Sequence, residues 1–210
     1  MTSYAIKEIF YSLQGEGRNA GRAAVFCRFA GCNLWSGRER DRADAVCTFC
    51  DTDFVGTNGS RGGRYGSATE LTAAISDAWG DNSANRFVVL TGGEPLLQVD
   101  DALIGALHGA GFEIALETNG TLTPPVGIDW ICVSPKTLPL ALDGGHELKL
   151  VYPNPRVNPE DVEDLAFENF LLQPLDGAAT RESTEAAVAF CLANPKWRLS
   201  LQTHKQLGIR

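Results

Sequence analysis

The stretch RFVVLTGGEP, residues 86–95, joins a run of apolar, largely β-branched residues to two glycines and a glutamate. A short apolar run that ends in a turn signal is typical of a strand buried on both faces. Comparable runs predict seven further strands, which makes a β-sheet the framework of the fold. The strands are predicted at about 4–10, 23–29, 86–91, 112–117, 129–134, 146–151, 168–173 and 197–203.

Three helical patterns lie between some of these strands. TELTAAISDAW (69–79) follows a threonine cap, DDALIGALHGAG (100–111) ends at glycine, and TRESTEAAVAFCLAN (180–194) ends before a proline. Strands that alternate with helices indicate a mainly parallel sheet in an α/β fold. The connections 118–128 and 135–145 contain prolines and glycines and are barely long enough for a crossover helix. We therefore expect these two connections to be loops.

The chain of 210 residues is shorter than the roughly 250 residues of a full eight-unit barrel. We predict an incomplete, open (β/α) barrel with mostly parallel strands and some helices degraded to loops, formed by a single domain of residues 1–210. Polar motifs follow several strand ends, at Cys32, 92–95, 134–136 and 173–176. Active sites of barrels and open α/β sheets lie at this edge, so these motifs are expected to share one site.

The composition excludes several classes of protein. Hydrophobic residues make up 44% of the chain, which argues against disorder. The net charge of −8 disfavours binding to nucleic acid phosphates or to anionic lipid. No apolar run reaches the 18 or so residues of a membrane-spanning helix, and the N-terminus lacks a signal pattern. We expect a soluble cytoplasmic protein that binds neither nucleic acid nor membrane.

Three of the six cysteines are predicted to be structural. Cys27, Cys132 and Cys191 lie in apolar strand or helix contexts, where a free cysteine behaves as a small hydrophobic residue. His108 and His146 lie in or beside ordinary helix and strand patterns, and we predict structural roles for both.

The other three cysteines, Cys32, Cys47 and Cys50, lie in a polar stretch and are separated by 14 and two residues. Three thiolates can bind three irons of a four-iron, four-sulfur cluster and leave the fourth iron open to an external ligand. An open metal position is typical of a catalytic site. Zinc bound by these cysteines and a histidine, a thioredoxin-like dithiol at Cys47 and Cys50, and chance spacing remain alternatives.

Two motifs together carry a family resemblance. Cys-Thr-Phe-Cys at 47–50, followed by the Gly-Gly-Glu motif at 92–94, resembles the radical S-adenosylmethionine superfamily. The long first spacing resembles one branch of the 7-carboxy-7-deazaguanine synthases. That resemblance extends over nearly the whole chain. It rests on FYSLQGEG (10–17), RFAGCNLW (28–35), TFCDTDF (48–54), LTGGEPLLQ (90–98), ALETNGT (115–121), SPK (134–136) and LQPLD (172–176).

The resemblance implies a reaction and a set of ligands. The reaction is the contraction of 6-carboxy-5,6,7,8-tetrahydropterin to 7-carboxy-7-deazaguanine with loss of ammonia, a step towards queuosine and other deazapurines. The implied cofactors are a 4Fe-4S cluster, S-adenosylmethionine and Mg²⁺. The implied partners are an electron donor such as flavodoxin or ferredoxin and a second copy of the chain in a homodimer. The alternatives are a glycyl-radical activating enzyme and a non-catalytic zinc or iron–sulfur binding module.

The resemblance also implies roles for individual residues. The cluster ligands would be Cys32, Cys47 and Cys50, and Thr52 would bind Mg²⁺. The S-adenosylmethionine contacts would be Phe49, Cys50, Asp51, Gly92, Gly93, Glu94, Ser134, Pro135, Lys136, Gln173, Pro174, Leu175 and Asp176. The substrate contacts would be Leu13, Gln14, Gly15, Arg28, Thr91, Glu117, His204 and Arg210. Arg28 would hold the substrate carboxylate through two parallel hydrogen bonds.

Overall fold

The computed structural model describes residues 3–210. Its strands are Tyr4–Leu13 (β1), Ala23–Phe29 (β2), Gly63–Tyr65 (β3), Phe87–Gly92 (β4), Glu113–Thr118 (β5), Trp130–Val133 (β6), Gly144–Tyr152 (β7), Ala166–Pro174 (β8) and Trp197–Leu199 (β9). They form one nine-stranded sheet in the order β3-β1-β2-β4-β5-β6-β7-β8-β9. In this spatial order, every neighbouring pair from β2 and β4 to β8 and β9 is parallel, whereas β1 is antiparallel to both β2 and β3.

In the described part of the chain, four helices accompany the sheet. They are Ala68–Trp79 (α1), Asp101–Gly109 (α2), Thr180–Ala193 (α3) and Thr203–Leu207 (α4), with 3₁₀ turns at Glu39–Asp41, Pro95–Leu97 and Pro159–Asp161. The connections from β5 to β6 and from β6 to β7 contain no helix. The predicted open α/β barrel with some helices reduced to loops is therefore confirmed. Within residues 3–210, no helix is long and apolar enough to cross a membrane.

The apolar run in β4 is explained by two cores, one on each face of the sheet. Val88 and Leu90 face outward and pack with residues of α1 and α2, whereas Phe87 and Val89 face inward. Side chains alternate between the two faces of a strand, so Thr91 follows Phe87 and Val89 to the inner face. Fully burying each of these apolar side chains contributes about 1.5–3 kcal/mol. The same alternation brings one polar side chain to the interior at the end of β4.

Some sequence-based boundaries are wrong. The strand predicted at 197–203 ends at Leu199, and Thr203–Leu207 is helical. The strand Gly63–Tyr65 was not predicted, because three residues at a sheet edge carry no readable alternation. Helix α1 is capped by Ser67, whose hydroxyl accepts from the Glu70 amide at 3.2 Å, rather than by a threonine.

The predicted structural cysteines divide into two groups. Cys27 is fully buried in the outer apolar core, and Cys191 packs against the core beneath α3, as predicted. Cys132 is buried but not in apolar surroundings, because its thiol donates to Glu147 Oε1 at 3.3 Å. The apolar environment predicted for Cys132 is therefore wrong. The error arises because its strand neighbours face the core while Cys132 faces the barrel interior.

The loop between β1 and β2 contacts β7 and the segment that follows β9, on the far side of the sheet order. Gly17 N donates to Ser200 Oγ at 3.0 Å, and Thr203 N donates to Gly15 O at 3.0 Å. Arg18 N reaches the buried carboxylate of Glu147 at 2.9 Å. We call these contacts between 15–18 and β7 or 200–203 the seam. Gly17 has a φ of +69°, and a Cβ there would clash with the Glu147 carboxylate, so the seam requires glycine.

We predict that Gly17→Ala destabilises the protein more than Gly21→Ala. Both positions have positive φ, which costs an alanine about 1–2 kcal/mol. Only Gly17 has a neighbour that a Cβ would strike, which adds about 1–3 kcal/mol. Urea unfolding of the two variants measures the difference. Equal losses of unfolding free energy would show that the seam is not tightly packed.

Candidate functional site

A cavity of about 390 Å³ opens at the carboxyl ends of the parallel strands. This volume lies in the range of small-molecule sites. Sixteen residues predicted from the sequence line it, so the strand-end motifs do converge. They are Leu13, Gln14, Gly15, Arg28, Cys50, Asp51, Thr52, Thr91, Gly92, Gly93, Glu117, Ser134, Lys136, Gln173, His204 and Arg210.

The remaining predicted residues lie behind or beside the cavity wall. They are Cys32, Cys47, Phe49, Glu94, Pro135, Pro174, Leu175 and Asp176. Phe49 contacts the cavity residue Lys136, whose ammonium lies 5.3 Å from its ring centre. Asp176 binds the cavity residue Lys205 at 2.6 Å. Both are therefore one contact away from the cavity.

Sequence reasoning missed eleven lining residues. They are Glu8, Phe10, Glu16, Phe26, Asp53, Thr118, Asn119, Lys149, Val151, Gln202 and Lys205. Alternation could have found some of them, since Glu147, Lys149 and Val151 occupy every second position of β7. Two charged residues on one face of a predicted interior strand indicate a polar site. Glu8 and Lys205 carry no such signal, because their partners are distant in sequence.

The three clustered cysteines are brought together at one side of this cavity. Cys32 and Cys50 pack against a small apolar group formed by Trp35, Ala45 and Phe54. Leu34 N donates to Cys32 Sγ at 3.4 Å, but burial still raises the pKa of the Cys32 thiol. The two thiols of the Cys-Thr-Phe-Cys turn are close enough that each shifts the pKa of the other.

The electrostatics of that turn favour a thiolate at Cys50. A hydrogen bond from the Cys47 thiol lowers the pKa of Cys50 to about 6, against the effect of burial. The Thr52 backbone amide and the Lys136 ammonium act in the same direction. The same shared proton raises the pKa of Cys47. Thiolates are the form in which cysteines bind metal, so the turn is suited to a cluster.

One feature of the surroundings fits an iron–sulfur cluster. The buried indole Nε1 of Trp35 has no hydrogen-bond partner among residues 3–210, and a buried unpaired donor costs about 1–3 kcal/mol. A sulfur acceptor beside Cys32 and Cys50 would satisfy it. No three His, Cys, Asp or Glu side chains within 3–210 are grouped to hold a single ion. A four-iron cluster does not need such a group, because each thiolate binds a different iron.

The Gly-Gly-Glu motif couples β4 to the first cysteine. Gly93 N donates to Phe29 O at 3.3 Å, and Glu94 N donates to Gly31 O at 2.9 Å. A Cβ at Gly93 would clash with the Gly31 carbonyl and come close to Cys32. Glycine therefore lets the end of β4 lie directly against the segment that carries Cys32.

Glu94 does not face the cavity. Its side chain is fully buried and accepts hydrogen bonds from Thr118 Oγ1 at 2.8 Å, Asn119 N at 2.8 Å and Leu96 N at 3.0 Å. Burial raises the pKa of this carboxyl, and the three donors oppose the shift. In this structure Glu94 joins β4 to the end of β5. A contact between Glu94 and the cofactor stays a prediction.

A buried polar network forms the side of the cavity opposite the cysteines. Lys149, only 4% exposed, donates to Glu16 Oε2 at 2.6 Å and lies 3.6 Å from Glu117. Gln14 Nε2 donates to Glu117 Oε1 at 2.9 Å, and Gln202 Nε2 donates to Glu16 Oε1 at 2.9 Å. Burial acts against ionised Glu16, but the Lys149 ammonium lowers its pKa to about 2. The network therefore presents fixed donors and acceptors to a ligand.

Arg28 is shared with the protein itself. Its Nε donates to Glu8 Oε1 at 2.9 Å, and Arg210 binds the other oxygen of the same carboxylate. The Arg210 guanidinium also lies 4.5 Å from the centre of the Phe10 ring. Two arginines on one carboxylate leave a net positive charge at this end of the cavity. That charge suits an anionic group on a ligand.

Salt bridges at the mouth connect the two loops that bear predicted cofactor contacts. Lys205 in α4 donates to Asp51 at 2.7 Å and to Asp176 at 2.6 Å. On the other side of Thr52, Asp53 pairs with Lys7 at 2.8 Å. The lysine partners leave the Thr52 hydroxyl between two neutralised carboxylates. The cavity as a whole has five acidic and five basic lining residues, although the chain carries a net charge of −8.

We predict that the Glu16 carboxylate makes stability depend on pH in a narrow acidic range. Because its pKa is lowered on folding, its contribution is complete above the ordinary value of 4.5 and is lost as the pH falls towards about 2. Urea unfolding should show wild type exceeding Glu16→Gln by a few kcal/mol above pH 4.5 and converging with it at lower pH.

The exposed Glu185, paired with Arg181, provides the control. Glu185→Gln should follow wild type within about 0.5 kcal/mol throughout. A Glu16→Gln difference that does not change between pH 2 and 5 would contradict the assigned ion pair.

The chain is similar to proteins of one family over its whole length. It is 66% identical over 209 residues to the 7-carboxy-7-deazaguanine synthase of Bradyrhizobium diazoefficiens, covering 99% of this chain and 100% of the relative. It is 62% identical to that of Bordetella pertussis, covering 99% of each. The crystal structure of QueE from Escherichia coli superposes with a TM-score of 0.69 at 28% identity, covering 95% of this chain and 93% of that one. No family model matches the chain. The length and level of these similarities show that the chain belongs to the 7-carboxy-7-deazaguanine synthases.

Proposed function

We propose that the protein converts 6-carboxy-5,6,7,8-tetrahydropterin to 7-carboxy-7-deazaguanine and ammonia by radical S-adenosylmethionine chemistry. The observation that carries the proposal is the lining of one cavity by two sets of residues. Cys50, Gly92 and Gly93 come from the motifs expected to hold the cluster and S-adenosylmethionine. Gln14 and Arg28 come from the set expected to bind the substrate, which has a flat pterin ring with an amide-like edge and one carboxylate.

The cofactors are proposed to bind on the side where the cysteines meet. Cys32, Cys47 and Cys50 hold the 4Fe-4S cluster, and Gly92 and Gly93, which line the cavity, contact the methionyl group. The remaining S-adenosylmethionine contacts are assigned to 49–51, 134–136 and 173–176. When bound, the cluster and S-adenosylmethionine supply the one-electron chemistry that forms a radical. The chain itself orients the two ligands and excludes water from them.

The substrate is proposed to bind against the opposite network. The Gln14 amide and the Leu13 and Gly15 backbone read the amide edge of the pterin. Glu117, 3.6 Å from Lys149, offers carboxylate oxygens as hydrogen-bond acceptors. Thr91, His204 and Arg210 complete the proposed substrate contacts.

Arg28 is proposed to hold the substrate carboxylate. Its Nε is bound to Glu8, and its Nη atoms make no hydrogen bond to residues 3–210. Those Nη atoms can therefore bind a ligand without breaking the Glu8 pair. Glu8 fixes the orientation of the guanidinium, which reduces the entropy lost on binding.

We propose Thr52 as the protein ligand of Mg²⁺. Asp51 and Asp53 are each held by a lysine, so the Thr52 hydroxyl, water and substrate oxygens would make up the coordination shell. Mg²⁺ keeps much of its hydration, which suits a site with few protein ligands. The ion would also link the substrate to the loop that follows Cys50.

The remaining assignments follow from the family. We propose that residues 1–210 act as one domain, in support of which a single sheet runs through β1–β9. We also propose that the protein works as a homodimer. Reduction of the cluster calls for a low-potential one-electron donor, for which a flavodoxin or a ferredoxin is suited.

The cysteine assignment provides the test of the proposed function. Anaerobically reconstituted wild type should contain about four irons per chain, cleave S-adenosylmethionine, and convert the pterin to the deazapurine. Alanine at Cys32, Cys47 or Cys50 should abolish iron retention and both reactions. Cys191→Ala, in α3 and packed against the core away from the cavity, should keep all three properties.

Other outcomes would identify the alternative functions. A wild-type protein that retains zinc and never cleaves S-adenosylmethionine would indicate a binding module. Cleavage of S-adenosylmethionine without any consumption of the pterin would contradict the proposed substrate and indicate a different radical enzyme.

We predict that the substrate carboxylate and Arg28 interact directly. A charge-assisted hydrogen-bonded pair contributes about 1.5–3 kcal/mol, so Arg28→Ala should weaken pterin binding at least tenfold. Arg28→Lys should be intermediate, because an ammonium cannot make two parallel bonds to a carboxylate. Binding of S-adenosylmethionine should change little.

A binding cycle separates direct contact from indirect effects. A pterin that lacks the carboxylate should bind wild type weakly, and Arg28→Ala should weaken its binding little further. Anaerobic titration of two proteins with two ligands gives the coupling. If the losses of binding free energy from Arg28→Ala and from removal of the carboxylate simply add, the carboxylate is held elsewhere.

A further inference from the structure

The insertion between the first two cysteines, residues 33–46, folds back on itself beside the cluster ligands. Val46 N and Cys47 N donate to Leu34 O at 3.1 and 3.3 Å, which closes the base of the insertion. Ser36 and Asp41 are hydrogen-bonded across it at 2.7 Å. The segment is therefore an ordered loop whose two ends carry Cys32 and Cys47.

Arg42 in this loop binds the turn that contains the other two cysteines. Its Nη1 donates to Thr48 O at 3.0 Å and to Cys50 O at 3.1 Å. Its guanidinium carbon lies 4.1 Å from the centre of the Trp35 ring. Its Nε donates to both oxygens of Glu39 at 2.9 Å. The side chain is 27% exposed, so most of it is held inside these contacts.

These contacts connect the first cysteine to the second and third. Trp35 is buried, meets Phe54 edge to face at 5.6 Å, and belongs to the apolar group that packs on Cys32 and Cys50. One guanidinium is thus stacked on the Cys32 side and hydrogen-bonded to the Cys50 side. A lysine could supply the charge, but it could not stack on Trp35 in the same way or present a planar set of donors.

We propose that Arg42 is a positioning residue for the iron–sulfur cluster and that its charge raises the cluster's reduction potential. The inference rests on the proposed function, because it requires the cluster. Reduction adds a negative charge, and a nearby fixed cation stabilises the reduced form. Glu39 offsets part of that charge, but its side chain is 77% exposed and its field is screened by solvent.

Arg40 offers a matched control in the same loop. Its side chain is 73% exposed and pairs with the adjacent Asp41 at 3.3 Å. Its charge equals that of Arg42, but it is not bound to the cysteine turn. Arg40→Met and Arg42→Met therefore change the net charge of the protein equally. Any difference in cluster properties between the two variants is therefore due to the contacts of Arg42.

The test is an anaerobic redox titration of reconstituted protein, followed by electron paramagnetic resonance of the reduced cluster. Arg42→Met should lower the equilibrium constant for reduction about tenfold, equivalent to about 59 mV for one electron. Its resonance signal should change shape. Arg40→Met should match wild type in both. Equal potentials in Arg42→Met and Arg40→Met would overturn the inference.

Arg42→Lys separates charge from geometry and covers the case in which Arg42→Met takes up no cluster. Its equilibrium constant for reduction should stay within about threefold of the wild-type value, because the positive charge is kept. Its cluster should be lost to an iron chelator at least several-fold faster, because the stacking and paired donors are gone. Chelation at the wild-type rate would contradict the positioning role. Failure of wild type itself to bind a cluster would instead contradict the proposed function.

Discussion

The seam between the β1–β2 loop and the segment after β9 is the constraint on which the rest of the molecule depends. The sheet is open, with β3 and β9 as its edge strands, and the loop at 15–18 that follows β1 reaches across to Ser200, Thr203 and Glu147. The seam also carries Glu16 to Lys149 inside the barrel. The cavity wall that is proposed to bind the pterin is therefore made by the same contacts that hold the β1–β2 loop against β7 and the segment after β9. Stability and substrate binding are linked at this point.

On the cofactor side, glycines and a buried acid perform the corresponding task. Gly93 lets β4 approach the segment before Cys32, and Glu94 ties that strand end to β5. The Gly-Gly-Glu motif thus fixes the position of Cys32 relative to the parallel strands. This role does not depend on a ligand at the motif's backbone. Arg42 extends this framework from the first cysteine to the other two. The proposed cluster ligands come from a long loop, and these contacts replace the rigidity that a helix or strand would have provided.

The parts of the fold that follow from local chemistry were predictable from the sequence. The apolar run 87–90 and its turn identified a central strand, and the loops at 118–128 and 135–145 identified an open barrel. Strand-end motifs identified the edge at which the cavity lies. What could not be predicted depends on partners distant in sequence. Glu8 between Arg28 and Arg210, and Lys205 between Asp51 and Asp176, require the folded chain to be recognised. The polar surroundings of Cys132 were missed for a related reason, because the local sequence does not show which face of the sheet a side chain occupies.

One cavity is proposed to bind both S-adenosylmethionine and the pterin. An anaerobic crystal structure of the reconstituted protein with S-adenosylmethionine, 6-carboxy-5,6,7,8-tetrahydropterin and Mg²⁺ would show whether it does. We expect the methionyl group beside Gly92 and Gly93, the pterin edge at Gln14, its carboxylate at Arg28, and the ion at Thr52. A pterin bound outside this cavity, or a cavity that S-adenosylmethionine fills alone, would contradict this proposal.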